Sequence, residues 1–282
     1  MKLLSLLSSF ASLCPCLSAA AEMPAAPILD LDLDAAKGIT ADAQQRVTQW
    51  ASLAGTPAAK VFVQRDEGRK EPGSGRPTLL PALPALGGKP ALSFRQQELV
   101  CLDEDAFDKL TTGSGHTWLA VIATYPQRTG LKDVNSFFGN LRNGEKYEGL
   151  WGCFNDNNTL WIGTRNSRTF GRFDANNPQV LGPKLEPGKF HVIAGRLGSG
   201  TGTVKLELFV DRLGVVASAD FPVEPAANPS RMAVGQERDA IQHPGHESFD
   251  GEIARLMIFD RPLSNAELAT ALSELHKVYS LE

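Results

Sequence analysis

Apolar and polar residues alternate in short runs along most of the chain, and Gly, Pro, Asn and Asp separate the runs. Over residues 28–34, Leu29, Leu31 and Leu33 share one face while Asp30, Asp32 and Asp34 share the other, the period of a half-buried strand with a solvated outer face. Val204, Leu206, Leu208 and Val210 alternate with Lys205 and Glu207 in the same way. Residues 117–125 are apolar on both faces, which predicts a central strand in a sheet covered on both sides. Residues 149–154 and 159–163 flank Asn155-Asp156-Asn157-Asn158, residue types that tolerate left-handed turns, so a hairpin is predicted there. A second hairpin is predicted from residues 190–197 and 203–210 around Gly198-Ser199-Gly200-Thr201-Gly202. Further strands are predicted over 98–102, 215–221 and 231–235, at the spacing of an antiparallel sandwich.

The period changes near the end of the chain. Phe249-Asp250-Gly251 reads as a short turn, Ile253, Ala254, Leu256, Met257, Ile258 and Phe259 as a buried strand, and Asp260-Arg261-Pro262 as a stop. Ser264 and Glu267 have the spacing of a capping box, in which each side chain satisfies a backbone N–H orphaned at a helix start. Leu263 and Leu268 sit at the positions of a hydrophobic staple. Leu268, Leu272, Leu275 and Tyr279 then recur at helical spacing, predicting one short amphipathic C-terminal helix whose stripe lies on the sandwich.

At 282 residues and 42% hydrophobic, the chain can bury a sizeable core as one domain, and its 26 Gly and 18 Pro suit many strands joined by turns. The net charge of −4 carries no basic block, which excludes the electrostatic footprint of a nucleic-acid binder. Lys2, the apolar stretch 3–17 and Ala19-Ala20-Ala21 read as a signal peptide over residues 1–21, followed by an Ala/Pro linker over 22–27 and a single domain over 28–282. Leu13 and Pro15 stand before Cys14 and Cys16, where a lipoprotein signal wants a small residue. No other stretch has the ~18 apolar residues of a membrane span. The protein is therefore expected to be exported, to the periplasm, the extracellular space or the cell surface. Cleavage would leave Cys101 and Cys153, which in an oxidising compartment are either a bridge between two strands or two separate buried thiols.

The order of several weak motifs resembles LamG-like jelly-roll domains of the concanavalin A-like lectin/glucanase superfamily, in bacterial exported form. A strand is followed by Val47-x-x-Trp50, by Arg76-Pro77, by Pro90-Ala91-x-x-Phe94, by Lys189-Phe190-His191-Val192 and by Leu208-Phe209-Val210-Asp211, before the strand, Pro turn and terminal helix described above. Phe190 stands where the family usually has Trp, and Arg212 where it usually has Gly. The resemblance covers roughly residues 28–281. It implies an all-β, two-sheet antiparallel jelly-roll sandwich with a short C-terminal helix, carbohydrate binding and a Ca2+ ion.

Catalysis on related sandwiches is carried by paired carboxylates, which a Glu-x-Asp-x-Glu strand supplies because alternate residues share a face. No such triplet occurs: Asp103-Glu104-Asp105 are consecutive, and Asp30, Asp32 and Asp34 include no Glu. The latter also lack the Gly and Glu that an EF-hand loop needs at its sixth and twelfth positions. Lys146-Tyr147 has no Gln-x-His partner for an alginate-lyase-type site, and G-x-S-x-G is absent. The polar cluster that stands out is Glu237, Asp239, His243 and His246, between two predicted strands. His243-Pro-Gly-His246 can present two imidazoles to a metal but brings no firm third ligand, and a solvated loop is the plainer reading. Trp50, Trp118, Trp151 and Trp161 read as core aromatics, and His191 as a strand residue bonded to a backbone group. These features predict an exported, non-catalytic module that binds glycan or an extracellular protein through its loops or a concave face. A divergent polysaccharide hydrolase or lyase and a structural cell-envelope component are the alternatives.

Overall fold

A computed structural model describes residues 29–54, 60–128, 135–143, 145–170, 173–237 and 247–281. The predicted signal peptide, the linker and residues 238–246 lie outside them. Numbered along the chain, one antiparallel sheet of eight strands contains β1 (Leu29–Asp34), β5 (Thr78–Leu83), β6 (Lys89–Arg95), β8 (His116–Thr124), β14 (Phe190–Leu197), β15 (Thr203–Val210), β16 (Ala217–Pro222) and β18 (Asp250–Phe259). The other has ten: β2 (Ile39–Ala41), β3 (Val47–Ala51), β4 (Val61–Gln64), β7 (Leu99–Cys101), β9 (Asn135–Gly139), β10 (Arg142–Asn143), β11 (Tyr147–Phe154), β12 (Thr159–Asn166), β13 (Gln179–Lys184) and β17 (Ala233–Val234). Two short helical elements, a 3-10 turn over Pro84–Leu86 and α1 (Lys109–Thr112), precede the terminal helix α2 (Asn265–Tyr279). The two sheets pack face to face as a jelly-roll sandwich, with α2 on the outside.

Strand β8 shows why the layers form. Trp118, Ala120 and Ile122 point into the inter-sheet core, while Leu119, Val121 and Ala123 point outward against the buried stripe of α2, formed by Leu268, Leu272, Leu275 and Tyr279. Every residue of β8 is buried, as its two-sided apolar sequence requires. Between the sheets, Trp118, Phe137, Phe138, Phe154 and Phe249 form one cluster of fully buried rings. Trp50 is fully buried and donates its indole N–H to the Asp34 carbonyl at 3.2 Å. The Pro-rich segment includes the edge strand β5, whose register against β6 shifts between Leu80 and Leu83, around Pro81.

The capping box is formed. Glu267 N–H donates to Ser264 Oγ at 3.3 Å, and Ser264 N–H donates to the Glu267 carboxylate at 2.8 Å. Ser264→Ala is expected to cost about 1 kcal/mol, read as a lower denaturation midpoint. Hydrogen bonds from Arg261 and Ser264 hold the Glu267 carboxyl at about 2. Because that value is depressed by folding, its contribution is complete above the ordinary carboxylate range and is lost as pH falls toward about 2. Acid titration of stability should therefore show wild type above Glu267→Gln by a constant margin at and above the ordinary carboxylate range, with the margin closing as pH falls toward about 2.

Two sequence expectations are corrected. Asp250 and Gly251 are not a turn but the first residues of β18, and Phe249 before them is fully buried, stacked on Phe154 at 5.8 Å. The aspartate face of β1 is not solvated: Asp30 and Asp32 are buried, Asp30 between Lys60 (2.8 Å) and Lys109 (3.1 Å), and Asp32 in a two-pronged pair with Arg255. Of the two readings open for the cysteines, Cys101 and Cys153 are separate buried thiols with no bridge between them. Strands β9 and β17 separate β7 from β11, three steps of about 4.8 Å, or roughly 14 Å, against the ~7 Å between Cα atoms that a bridge tolerates. The two thiols also face opposite sides of that sheet, Cys101 in the inter-sheet core and Cys153 in the outer cluster. Burial raises the Cys101 thiol pKa, and Cys153 Sγ lies 2.7 Å from Ser136 Oγ.

Candidate functional site

The outer face of the ten-stranded sheet carries the aromatic residues that the core does not absorb. In β11, Leu150 and Phe154 turn inward, so Trp151 and Cys153 turn outward, where they join Leu141 and Trp161 in a separate cluster with Tyr147 at its margin. Trp151 pairs in register with Gly163 on β12 and Gly139 on β9. A Cβ at Gly163 would approach its indole to 2.5 Å, and one at Gly139 would lie 2.8 Å from its Cβ, so these bare neighbours give the ring room to lie flat on the sheet. Trp151 and Trp161 meet edge to face at 5.6 Å. The Arg165 guanidinium lies 4.5 Å from the Tyr147 ring centre and 5.1 Å from that of Trp151, a desolvated cation on two π faces.

Two phenylalanines extend this base to the surface. Phe170 packs on Tyr147 at 4.6 Å, and Phe173 meets Trp161 edge to face at 5.6 Å. Leu181 of β13 stands opposite Trp161 in register. The indoles are 2% exposed, whereas Phe170 is 58%, Leu181 51% and Phe173 39% exposed. Asp174 braces the segment: it accepts from Thr169 Oγ1 (2.8 Å) and from the N–H groups of Asn176 (2.8 Å) and Asn177 (3.0 Å). Burial alone would raise its carboxyl, but these hydrogen bonds hold it below the usual carboxylate range. Phe173 itself adopts φ +67°, a left-handed conformation uncommon for an aromatic residue. The result is an exposed apolar platform seated on buried rings, suited to the C–H face of a sugar ring.

Of the predicted polar cluster, Glu237 borders this face. It is buried, and its carbonyl accepts from Leu141 N–H at 3.0 Å beside Gly139, where the chain crosses the sheet next to Trp151. Asp239, His243 and His246 lie outside the described residues. Among the described residues no group of three or more His, Cys, Asp and Glu side chains is placed to hold a metal ion, so none of them can be assigned to the Ca2+ that the resemblance implies. His191 bonds a side chain rather than a backbone group: its Nδ1 is 2.7 Å from Asp211 Oδ2. Asp211 also accepts from Val192 N–H at 2.9 Å and lies 3.7 Å from His276 Nε2, tying the turn after β15 to α2.

Sequence reasoning placed Trp151 and Trp161 in the inter-sheet core, whereas they face outward. It passed over Phe170 and Phe173 altogether. The signal was present, because two phenylalanines three residues apart in an otherwise polar, glycine-containing segment have no strand to serve.

No protein-family model matches the sequence, and neither does any curated protein. Solved structures do resemble the fold. The sialidase of Trypanosoma rangeli in complex with sialic acid is 12% identical, with a TM-score of 0.53 over 95% of this chain and 36% of that one. The carbohydrate-binding module CBM40 of the Ruminococcus gnavus IT-sialidase, bound to alpha2,3 sialyllactose, is 17% identical, with a TM-score of 0.45 over 59% of this chain and 86% of its own. A SAP-like pentraxin from Limulus polyphemus is 15% identical, with a TM-score of 0.41 over 57% and 70%. The chain thus spans little more than a third of the sialidase, the one of the three that it matches along nearly its whole length. At such identities the likeness is one of fold: two antiparallel sheets packed as a jelly-roll sandwich.

Proposed function

We propose that this chain is an exported, LamG-like recognition module that binds glycan without cleaving it, through the aromatic outer face of its ten-stranded sheet. The observation that carries the reading is the pair of exposed rings, Phe170 and Phe173, seated on the half-buried Tyr147 and the buried Trp151 and Trp161. A rigid base lowers the ordering cost of binding, and exposed rings offer apolar area to sugar C–H groups. The sialidase and the carbohydrate-binding module were both solved with sialic-acid sugars, which agrees with this reading but names no ligand for this chain. The absence of a paired-carboxylate motif supports binding over hydrolysis.

The test is a glycan array on the mature chain, run beside an assay for released reducing ends. Binding without product release is expected. If each ring is worth roughly 1 kcal/mol, as in aromatic pairs, Phe170→Ala/Phe173→Ala should weaken binding about tenfold to thirtyfold with little change in stability. Product release, or binding that ignores the double variant, would sink the proposal.

A further inference from the structure

Helix α2 covers only part of the outer face of the eight-stranded sheet. Beyond its C-terminal end a cleft of about 610 Å3 opens. One wall is the 3-10 turn at Pro84, a second is the segment before β14 with Glu186, Pro187 and Lys189, and a third is the helix end at Ser280, with Phe190 on the sheet side. The size lies within the ~300–1,000 Å3 of small-molecule sites.

The walls are held in place before any ligand arrives. Gly87 closes the 3-10 turn in a left-handed conformation (φ +60°), its N–H bonded to the Pro84 carbonyl at 3.1 Å. A Cβ at Gly87 would come 2.5 Å from Ser280 Oγ, so turn and helix end sit flush. Gly188 N–H donates to the Thr124 carbonyl at 2.8 Å, which fixes the second wall on β8. Leu281 N–H donates to the His276 carbonyl at 2.9 Å, which fixes the third.

The chemistry is mixed and balanced. Glu186 and Lys189 contribute one carboxylate and one ammonium, both exposed and neither in an ion pair among the described residues, and Ser280 adds a hydroxyl. Pro84, Pro187 and Phe190 are apolar. The register Phe190–Ala123–Glu252–Ser93 continues the same sheet face into a second polar group. There Tyr125 OH donates to Glu252 at 2.5 Å, lies 3.1 Å from Ser93 Oγ, and carries the Arg95 guanidinium 4.1 Å over its ring. Donors, acceptors and apolar area are all present, and no excess charge would select an ion.

From this we infer that the cleft is a separate binding site for a short neutral oligosaccharide, distinct from the aromatic face on the other sheet. The inference does not rest on the reading proposed for that face. The whole chain should be titrated by amide NMR with maltotriose, cellotriose and laminaritriose at millimolar concentration. At least one should give saturable shifts confined to the amides of residues 85, 186, 188–190 and 280–281. Ala85→Trp, which fills the cleft, and Glu186→Ala/Lys189→Ala, which strips its polar groups, should each weaken that binding about tenfold or more. Phe170→Ala/Phe173→Ala should leave it unchanged, so the two sites can fail independently. The inference is overturned if none of the three sugars shifts these amides, if the shifts survive Ala85→Trp, or if they disappear with the phenylalanines instead.

Discussion

Trp118→Ala is expected to destabilise the protein by about 3–5 kcal/mol, the range for removing a large buried aromatic side chain. Trp118 is 1% exposed and bridges the sheets, meeting Phe138 edge to face at 5.1 Å and Phe137 at 5.8 Å. Its register partner on β14 is Gly195, and a Cβ there would collide with the indole. The neighbour that makes room for the ring therefore has no side chain with which to refill the space. Guanidinium denaturation should show a lower midpoint at nearly unchanged slope. A loss of less than about 1 kcal/mol would mean that the sheets can close over the gap, against the packing seen here.

The second large effect concerns charge. Asp32→Ala should cost about 2–3 kcal/mol, since it removes the buried partner of a two-pronged charged pair and leaves the half-buried Arg255 uncompensated. Arg255 donates from Nε and Nη2 to the two Asp32 oxygens at 2.8 Å each, across the β1–β18 pairing. Burial alone would lower the Arg255 pKa, but the Asp32 hydrogen bonds raise it above its ordinary value. The double variant Asp32→Ala/Arg255→Met should recover most of the loss, because an apolar pair has no charge to desolvate. A loss in the double variant equal to the sum of the losses in Asp32→Ala and Arg255→Met would show that the pair is not coupled.

These residues also show where sequence reasoning reaches its limit. The strand alternation of β15, the two-sided burial of β8, the Asn155–Asn158 hairpin and the capped helix were legible, because each is written in residues close together in the chain. The aspartates of β1 looked solvated because their partners are remote: Lys60 is 30 positions from Asp30, and Arg255 is 223 from Asp32. Gly251 looked like a turn residue, yet it sits in a strand where a Cβ would strike the Phe249 ring and the Ala123 carbonyl. The side-chain parity of Trp151 was readable, but which side of the sheet is outside was not. That depends on strand order, and strand order also keeps Cys101 and Cys153 apart. The aromatic face went unread for the same reason: Phe170 and Phe173 acquire meaning only once the rings beneath them are assembled.

Strand β18 pairs with β1, β6 and β8 at once, so it joins residues from the first, the middle and the final parts of the sandwich. Pairings such as Leu33 with Leu256 close loops of more than two hundred residues, the kind of non-local contact that places β-sandwiches among the slow folders, on the millisecond-to-second scale. Until residues 250–259 are available, β1 has no neighbour, and β6 and β8 each present a bare edge open to pairing with other chains. Assembly of the eight-stranded sheet thus waits on the last of its strands in chain order.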